Sequence, residues 1–316
     1  MPSSHVAGVR MPFSAAPACV RRWAEHQLGS SLVSATDVVG GMSPGPAARL
    51  QAVSGTRSFV KACGPALNPD TPGLLRDEVA VLNALPAHPN VPSLLATYDD
   101  GDWVALLLED INAPLVELPW RQVQFDRVSH ALVEVHEAST PNPWAAAPSA
   151  PEKSAPFLSR WRTLVAQPPV DLSPWWRAHL EPLAVHAAHV LDDIAGTTLS
   201  HWDVRADNLM VDDRRVVVVD WGQARLSAPW VDHALIAFDV AMSGGALSVP
   251  DAAASDPVLR QIDPAMLLSL AAAMAMAFEL RWRQPPVIGL PTLGETSRRW
   301  SRAFEPVLDH LLVAVT

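Results

Sequence analysis

Four polar residues, His201, Asp203, Asn208 and Asp220, fall within twenty positions of one another in an order that can do chemistry. Residues 209–211 and 216–219 are short apolar runs of strand type, separated by the polar turn Asp212, Asp213 and Arg214. A hairpin there brings its two ends together. Asn208, just before the first run, and Asp220, just after the second, can then share one ion. An amide oxygen and a carboxylate are hard donors of the kind Mg²⁺ takes while substrate phosphates complete its shell. Asp203, five residues before Asn208, is left to receive a proton from an attacking hydroxyl. The bland alternative is a hairpin with solvated aspartates, and Asp212 and Asp213, in the turn itself, fit it.

These residues need elements to position them. Residues 35–39 and 47–53 read as strands that enclose Gly40-Gly41-Met42-Ser43-Pro44-Gly45. Glycines at such a loop let backbone N–H groups approach phosphate oxygens, and Ser43 can add a hydroxyl donor; an ordinary hairpin turn is the competing reading. Lys61 lies in a further strand, 58–62. Residues 74–85 have a helical pattern with Leu75, Val79, Leu82 and Leu85 on one face. That helix carries Glu78, with Asp77 as its competitor, because one residue turns a helix by about 100°. A helix over 15–28, with Ser14 as cap, precedes the strands. Strands at 91–95 and 103–108, around a turn at 99–102, follow them and lead into Glu109-Asp110-Ile111. Beyond lie helices at 125–138, 181–195, 233–242, 263–281 and 297–315. A loop is expected at 140–156 and a Pro/Gly-rich crossing at 285–294.

His201, Asp203 and Asn208 match the HxDxxxxN catalytic loop of the protein-kinase-like superfamily, and Asp220-Trp221-Gly222 resembles its metal-binding DFG segment. With Trp after the Asp, the chain resembles the aminoglycoside phosphotransferase family more than protein kinases, over nearly its whole length. The resemblance implies an α+β, bilobal protein-kinase-like fold, with a small β-rich N-terminal lobe, 1–109, and a larger, mostly helical C-terminal lobe, 110–316. It implies a small-molecule kinase that moves the γ-phosphoryl group of ATP, GTP being also compatible, to a hydroxyl of an antibiotic or metabolite. Lys61 matches the lysine that pairs with the α and β phosphates, and Glu78 the carboxylate that holds it. Backbone groups near Glu109 and Ile111 would bind the purine, Asn208 and Asp220 the Mg²⁺, and Asp203 would orient the hydroxyl and take its proton. Arg205 stands where many protein kinases have the lysine of HRDLKPEN, a position from which it would steady the transferring group. His201 is read as a brace for the loop and Asp232 as the carboxylate that steadies it. Arg205 and Trp202, which replaces the common Gly of HGD, depart from the family pattern and bear on the acceptor rather than on the reaction. The same fold could instead serve as a non-catalytic nucleotide-binding regulatory module. A metal hydrolase built on His201, Asp203 and Asp220 lacks a second histidine at ligand spacing and leaves Lys61 and the glycine loop unexplained.

Composition narrows the classes. At 316 residues, 49% hydrophobic and 18% charged, the chain is long enough for one or two globular domains. A net charge of −10 with no basic run argues against a nucleic-acid partner and is compatible with a cationic small-molecule acceptor. The only cysteines, Cys19 and Cys63, suggest reduced thiols and a cytoplasmic setting. No basic segment followed by an apolar core marks a secretory signal. The longest apolar run, about residues 266–278, contains Ser269 and is shorter than the roughly 20 residues of a spanning helix, so a buried helix and no membrane role are expected. Residues 1–13 carry little pattern, are compatible with a disordered stretch and are assigned no role. Trp161, Trp175 and Trp176 fit either a substrate wall or core packing. The acidic residues Glu279, Glu305 and Asp309 face either a cationic ligand or solvent. The sequence carries no signal for oligomeric state.

Overall fold

The computed structural model describes residues 8–287 and 290–316; the first seven residues of the N-terminal stretch and residues 288 and 289 of the expected 285–294 crossing lie outside them. In chain order the elements begin with α1 (Ala18–Gln27), β1 (Leu32–Asp37), β2 (Ala47–Ala52), β3 (Arg57–Cys63), α2 (Thr71–Ala84), β4 (Leu94–Asp99) and β5 (Val104–Leu108). Next come α3 (Gln122–Ala138), α4 (Ala150–Leu158), α5 (Trp161–Ala166), α6 (Pro174–Ala187), α7 (Val190–Asp193) and β6 (Thr198–Ser200). The chain continues with β7 (Leu209–Val211), β8 (Val216–Val218), β9 (Arg225–Ser227), α8 (Trp230–Ser243), α9 (Val249–Ser255), α10 (Pro264–Arg281) and α11 (Leu293–Ala314). Two compact units form, and neither is continuous in sequence. The first takes the described chain up to Leu115 together with 207–224 and a short return at 287–291; the second takes the rest. A division at 109/110 treats the lobes as consecutive stretches, whereas the hairpin of β7 and β8 joins the first unit.

The first unit is built on a five-stranded antiparallel sheet in the order β1-β2-β3-β5-β4. Period-two alternation assigns its faces. Leu50, Val60 and Leu107 pack with Phe13, Ala24 and Leu28 on the side of α1. Leu106 and Leu108 pack with Leu75 of α2, and with Phe59, on the other side. Lys61 therefore shares its face with its register partners Ala47 and Leu106. β5 is buried along its whole length, while β4 alternates half-buried and exposed as an edge strand does. That edge is why the strand sits at 94–99 rather than 91–95: pairing with β5, not local apolarity, sets its register. α2 starts at Thr71 with Pro72 in its first turn and buries Leu75, Glu78 and Val81. A carboxylate on that face requires a cation opposite it.

The second unit is helical around α10, whose residues from Leu267 to Glu279 are all buried. By length and composition α10 could cross a membrane. It packs instead between α6 and α11, its alanines allowing close approach. β6 and β9 pair antiparallel. Two helices lie where loop was expected or nothing was read. α4 begins inside 140–156 and runs past it, its start set by Ser149, whose hydroxyl accepts the Glu152 N–H at 3.3 Å, with a proline in the first turn. α9 has the same device at Ser248. Prolines counted as breakers are here helix starters. The helix expected at 181–195 runs earlier, from Pro174 to Ala187, with Pro182 inside it, and a separate turn, α7, follows.

Candidate functional site

In the first unit a cavity of about 500 Å³ opens between the glycine loop, β3, the 108–111 segment and the hairpin. That volume falls in the range of small-molecule sites. Lys61 projects from β3 toward it. Its ammonium donates to Glu78 Oε1 and Oε2 at 2.9 and 3.1 Å and to Asp220 Oδ1 at 2.9 Å. Burial alone would lower the Lys61 pKa; the two carboxylates outweigh it and hold the ammonium above its ordinary value. Glu78 is buried completely, and the Trp221 N–H supports its carboxylate in addition to Lys61. Glu78, not Asp77, is thus the carboxylate of the pair.

Asp220 itself is half exposed and lines the cavity, with its backbone in the left-handed region at φ 71°. Such a conformation costs about 1–3 kcal/mol and needs support on both sides. Trp221 supplies it from a fully buried position, its indole N–H donating to the Val218 carbonyl at 2.8 Å. Gly222 supplies it by close packing, since a Cβ there would stand 2.8 Å from the Leu74 carbonyl oxygen of α2. Asn208, largely buried at the start of β7, lines the same cavity. Asn208 and Asp220 offer an amide oxygen and a carboxylate, hard donors that suit Mg²⁺ and fill only part of an octahedral shell.

The remaining expected nucleotide contacts divide. Gly41 lines the cavity with φ 75°; Ser43 does not line it, and its hydroxyl turns back to accept the Gly45 N–H at 3.4 Å. Glu109 and Ile111 border the cavity. The Glu109 N–H is spent on the Ser93 carbonyl at 2.9 Å, and its side chain pairs with Arg215. The Ile111 carbonyl accepts from Arg49 Nη2 at 2.9 Å. Arg49, Asp207 and Arg10 line the cavity as well, and no reading of the sequence found them. Their side chains carry no motif; strand pairing brings in Arg49, the N-terminal path Arg10, and adjacency to Asn208 brings in Asp207.

The second unit holds the loop that carries Asp203. Asp232, at the start of α8, is fully buried and accepts the His201 N–H and the Trp202 N–H at 2.8 Å each, and a bond from His136 Nε2 at 2.9 Å. His201 Nδ1 in turn accepts the Asp203 N–H at 3.2 Å, the bracing role expected of it. Asp239, one helical turn pair further along α8, accepts the Ala206 N–H at 3.0 Å and the Trp120 indole N–H at 2.8 Å. Trp202 sits at φ 68°, the left-handed region that favours glycine. Its strain is opposed by the Asp232 bond and by the Arg225 guanidinium, 4.9 Å over its ring. Arg205 Nε lies 3.3 Å from Asp203 Oδ1, so the two expected catalytic groups form a charge pair.

Of the acidic residues read as facing a cationic ligand or solvent, Glu279 is turned into the core instead. It is buried and accepts from Ser301 Oγ at 2.6 Å, Arg283 Nη1 at 2.7 Å and Trp282 Nε1 at 3.0 Å. Burial, and next the Glu279 charge, push the Glu305 carboxyl up. Asp309 accepts the Trp175 indole N–H at 3.0 Å. Trp176 is a core residue; Trp175 stacks on His179 at 4.4 Å.

A five-stranded antiparallel sheet, a lysine held by a helix carboxylate and a braced HxD loop in a helical unit define the protein-kinase-like fold. The family model described as the phosphotransferase enzyme family, APH, matches residues 50–264, and the chain belongs to that family. Solved structures agree in fold. A spectinomycin phosphotransferase in complex with ADP and spectinomycin superposes with a TM-score of 0.61 at 13% identity, covering 94% of this chain and 97% of its own. A choline kinase from Streptococcus pneumoniae gives 0.59 at 13% identity, covering 92% and 100%. An amicoumacin kinase in complex with AMP-PNP and Ca²⁺ gives 0.57 at 11% identity, covering 91% and 93%. A search of curated proteins found no match.

Proposed function

We propose that this protein is a small-molecule kinase that transfers the γ-phosphoryl group of ATP to a hydroxyl of an antibiotic or metabolite. The observation that carries the reading is Lys61, held at 2.9 Å by both Glu78 and Asp220 at the edge of a cavity roofed by the glycine loop. In this reading Lys61 binds the α and β phosphates, and the Ile111 backbone faces the purine, an arrangement that GTP could also use. Asn208 and Asp220 would hold Mg²⁺, which would neutralise charge on the phosphates. Asp203 orients the acceptor hydroxyl and takes its proton, and Arg205, once parted from Asp203, steadies the transferring group. Little covalent chemistry falls to the protein in such a reaction; positioning and charge do most of it. The free thiols Cys19 and Cys63 and the use of ATP support a cytoplasmic site of action. The kinds of compound named for similar folds, spectinomycin and choline, together with the net charge of −10, support a cationic or amine-bearing acceptor.

The test is a nucleotide-consumption screen with Mg²⁺ over hydroxylated amines, sugars and antibiotics, with Asp203→Asn run in parallel. Consumption that depends on an acceptor, and is lost in the variant, is the expected result. Tight Mg-nucleotide binding with no turnover across a broad library would make the chain a non-catalytic nucleotide-binding module instead.

A further inference from the structure

Residues 8–13, which have no sequence pattern, run as a strap along the glycine loop. The Gly8 N–H donates to the Gly41 carbonyl and the Met11 N–H to the Pro44 carbonyl, each at 2.8 Å. The Phe13 N–H donates to Asp37 Oδ1 at 2.8 Å, and the Phe13 ring is buried under the sheet, so the strap is anchored at its far end. Arg10 stands between the two backbone contacts. Its Nε donates to the Gly40 carbonyl, and its Nη1 to the Gly45 carbonyl at 3.2 Å. A Cβ on Gly41 would collide with Arg10 Nη2, so the glycine is what lets the guanidinium lie this close under the loop.

Arg10 lines the cavity together with Lys61 and Asp220. Burial holds the Arg10 pKa below its ordinary value, and the Asp220 carboxylate opposes part of that lowering. The electrostatics explain what the position is for. Lys61 is shared between two carboxylates, so the group of Lys61, Glu78 and Asp220 carries a net negative charge before any phosphate arrives. Mg²⁺ on Asn208 and Asp220 would offset part of the charge of a triphosphate tail brought there, and a guanidinium beside it would offset more. A guanidinium has five N–H donors in a planar fork that matches phosphate oxygens. Two of the Arg10 donors go to loop carbonyls, which aim the group and leave the others for a ligand.

We propose that Arg10 is a phosphate-recognising residue of the nucleotide site, carried in by the N-terminal strap and aimed by the carbonyls of Gly40 and Gly45 at the phosphate tail of a nucleoside triphosphate. The inference rests on the nucleotide reading of the cavity. Titration calorimetry of the full chain with MgATP, MgADP and adenosine, comparing wild type, Arg10→Gln and Arg10→Lys, tests it. Arg10→Gln weakens MgATP binding on the order of 10-fold, as loss of charged hydrogen bonds does, and leaves adenosine within about twofold. Arg10→Lys, a point charge without the fork, falls between. MgATP affinity that is unchanged or tighter in Arg10→Gln overturns the proposal. So does an equal loss of adenosine and MgATP, because the residue then only holds the loop. A wild type that binds adenosine and MgATP equally removes phosphate recognition, and one that binds neither removes the nucleotide reading with it. Should Arg10→Gln fail to fold, Arg10→Lys carries the same comparison, and wild-type-like selectivity for MgATP over adenosine would count against the fork.

Discussion

Replacing Asp232 by alanine removes a fully buried carboxylate that holds the backbone of the Asp203 loop at two consecutive N–H groups and receives a third bond from His136. Each hydrogen bond to a charged group contributes about 1.5–3 kcal/mol. Three bonds to one carboxylate are not additive, and part of their strength offsets the cost of burying the charge. Deleting one partner of a buried charged network costs about 3–5 kcal/mol. At roughly 2–4 °C per kcal/mol for a protein of this size, the melting temperature should fall by roughly 6–20 °C. Trp202, at φ 68°, loses the bond that opposes its strain, so the loop relaxes and turnover falls further than stability does. Mg-nucleotide affinity should change little, because the Lys61, Glu78 and Asp220 cluster makes no use of Asp232. Asp232→Asn keeps one acceptor oxygen and should be intermediate. The pH dependence has a definite sign. Burial alone would raise the Asp232 pKa, but the bond and charge of His136, the His201 charge and the Trp202 N–H bring it below the ordinary 3.8. The unfolded chain therefore takes up this proton first as pH falls. The stabilisation is fully present above about pH 4 and lost through the lower folded value, so the melting deficit of Asp232→Asn should shrink only in that acid range. Melting followed by circular dichroism, with titration calorimetry and a turnover assay, reads all three quantities. A melting temperature within about 2 °C of wild type, less than 1 kcal/mol on the same scale, would falsify the bracing role.

Three other outcomes can be checked with the same assays. Glu78→Ala leaves Lys61 with Asp220 alone and should cost about 1–3 kcal/mol in stability or in productive nucleotide binding, while Asp77→Ala stays near wild type; the reverse pattern would contradict the pairing seen here. Asp220→Ala should abolish the Mg²⁺-dependent part of nucleotide affinity, and equal affinities with and without Mg²⁺ in both proteins would remove Asp220 as a metal ligand. Asp203→Asn should leave Mg-nucleotide affinity almost unchanged and lower turnover on a confirmed acceptor by on the order of 10²- to 10⁴-fold; near-normal turnover would show that Asp203 is not the base.

The sequence by itself determined the parts that depend on short spacing. His201, Asp203, Asn208 and Asp220 are spaced around one hairpin; periodicity placed Lys61 on a strand and Glu78 or Asp77 on a helix, and it was the family resemblance that paired Lys61 with Glu78. Local periodicity also indicated most of the strands and the long helices, though not the register of β4 or the bounds of α6. Helix starts at Ser149 and Ser248 were missed because proline punctuates a chain both as breaker and as first-turn residue, and only the capping bond tells the two apart. Tertiary structure alone decided whatever depends on distant segments meeting. Arg49 takes the Ile111 carbonyl across the sheet, and Glu279 spends its oxygens on its own unit. Trp202 reads as a substitution in the sequence and becomes a left-handed residue only once its backbone is seen. Arg10 is the extreme case: a single arginine in a patternless stretch has no periodicity to reveal it, and its place in the cavity follows from backbone hydrogen bonds to a loop about thirty residues further on.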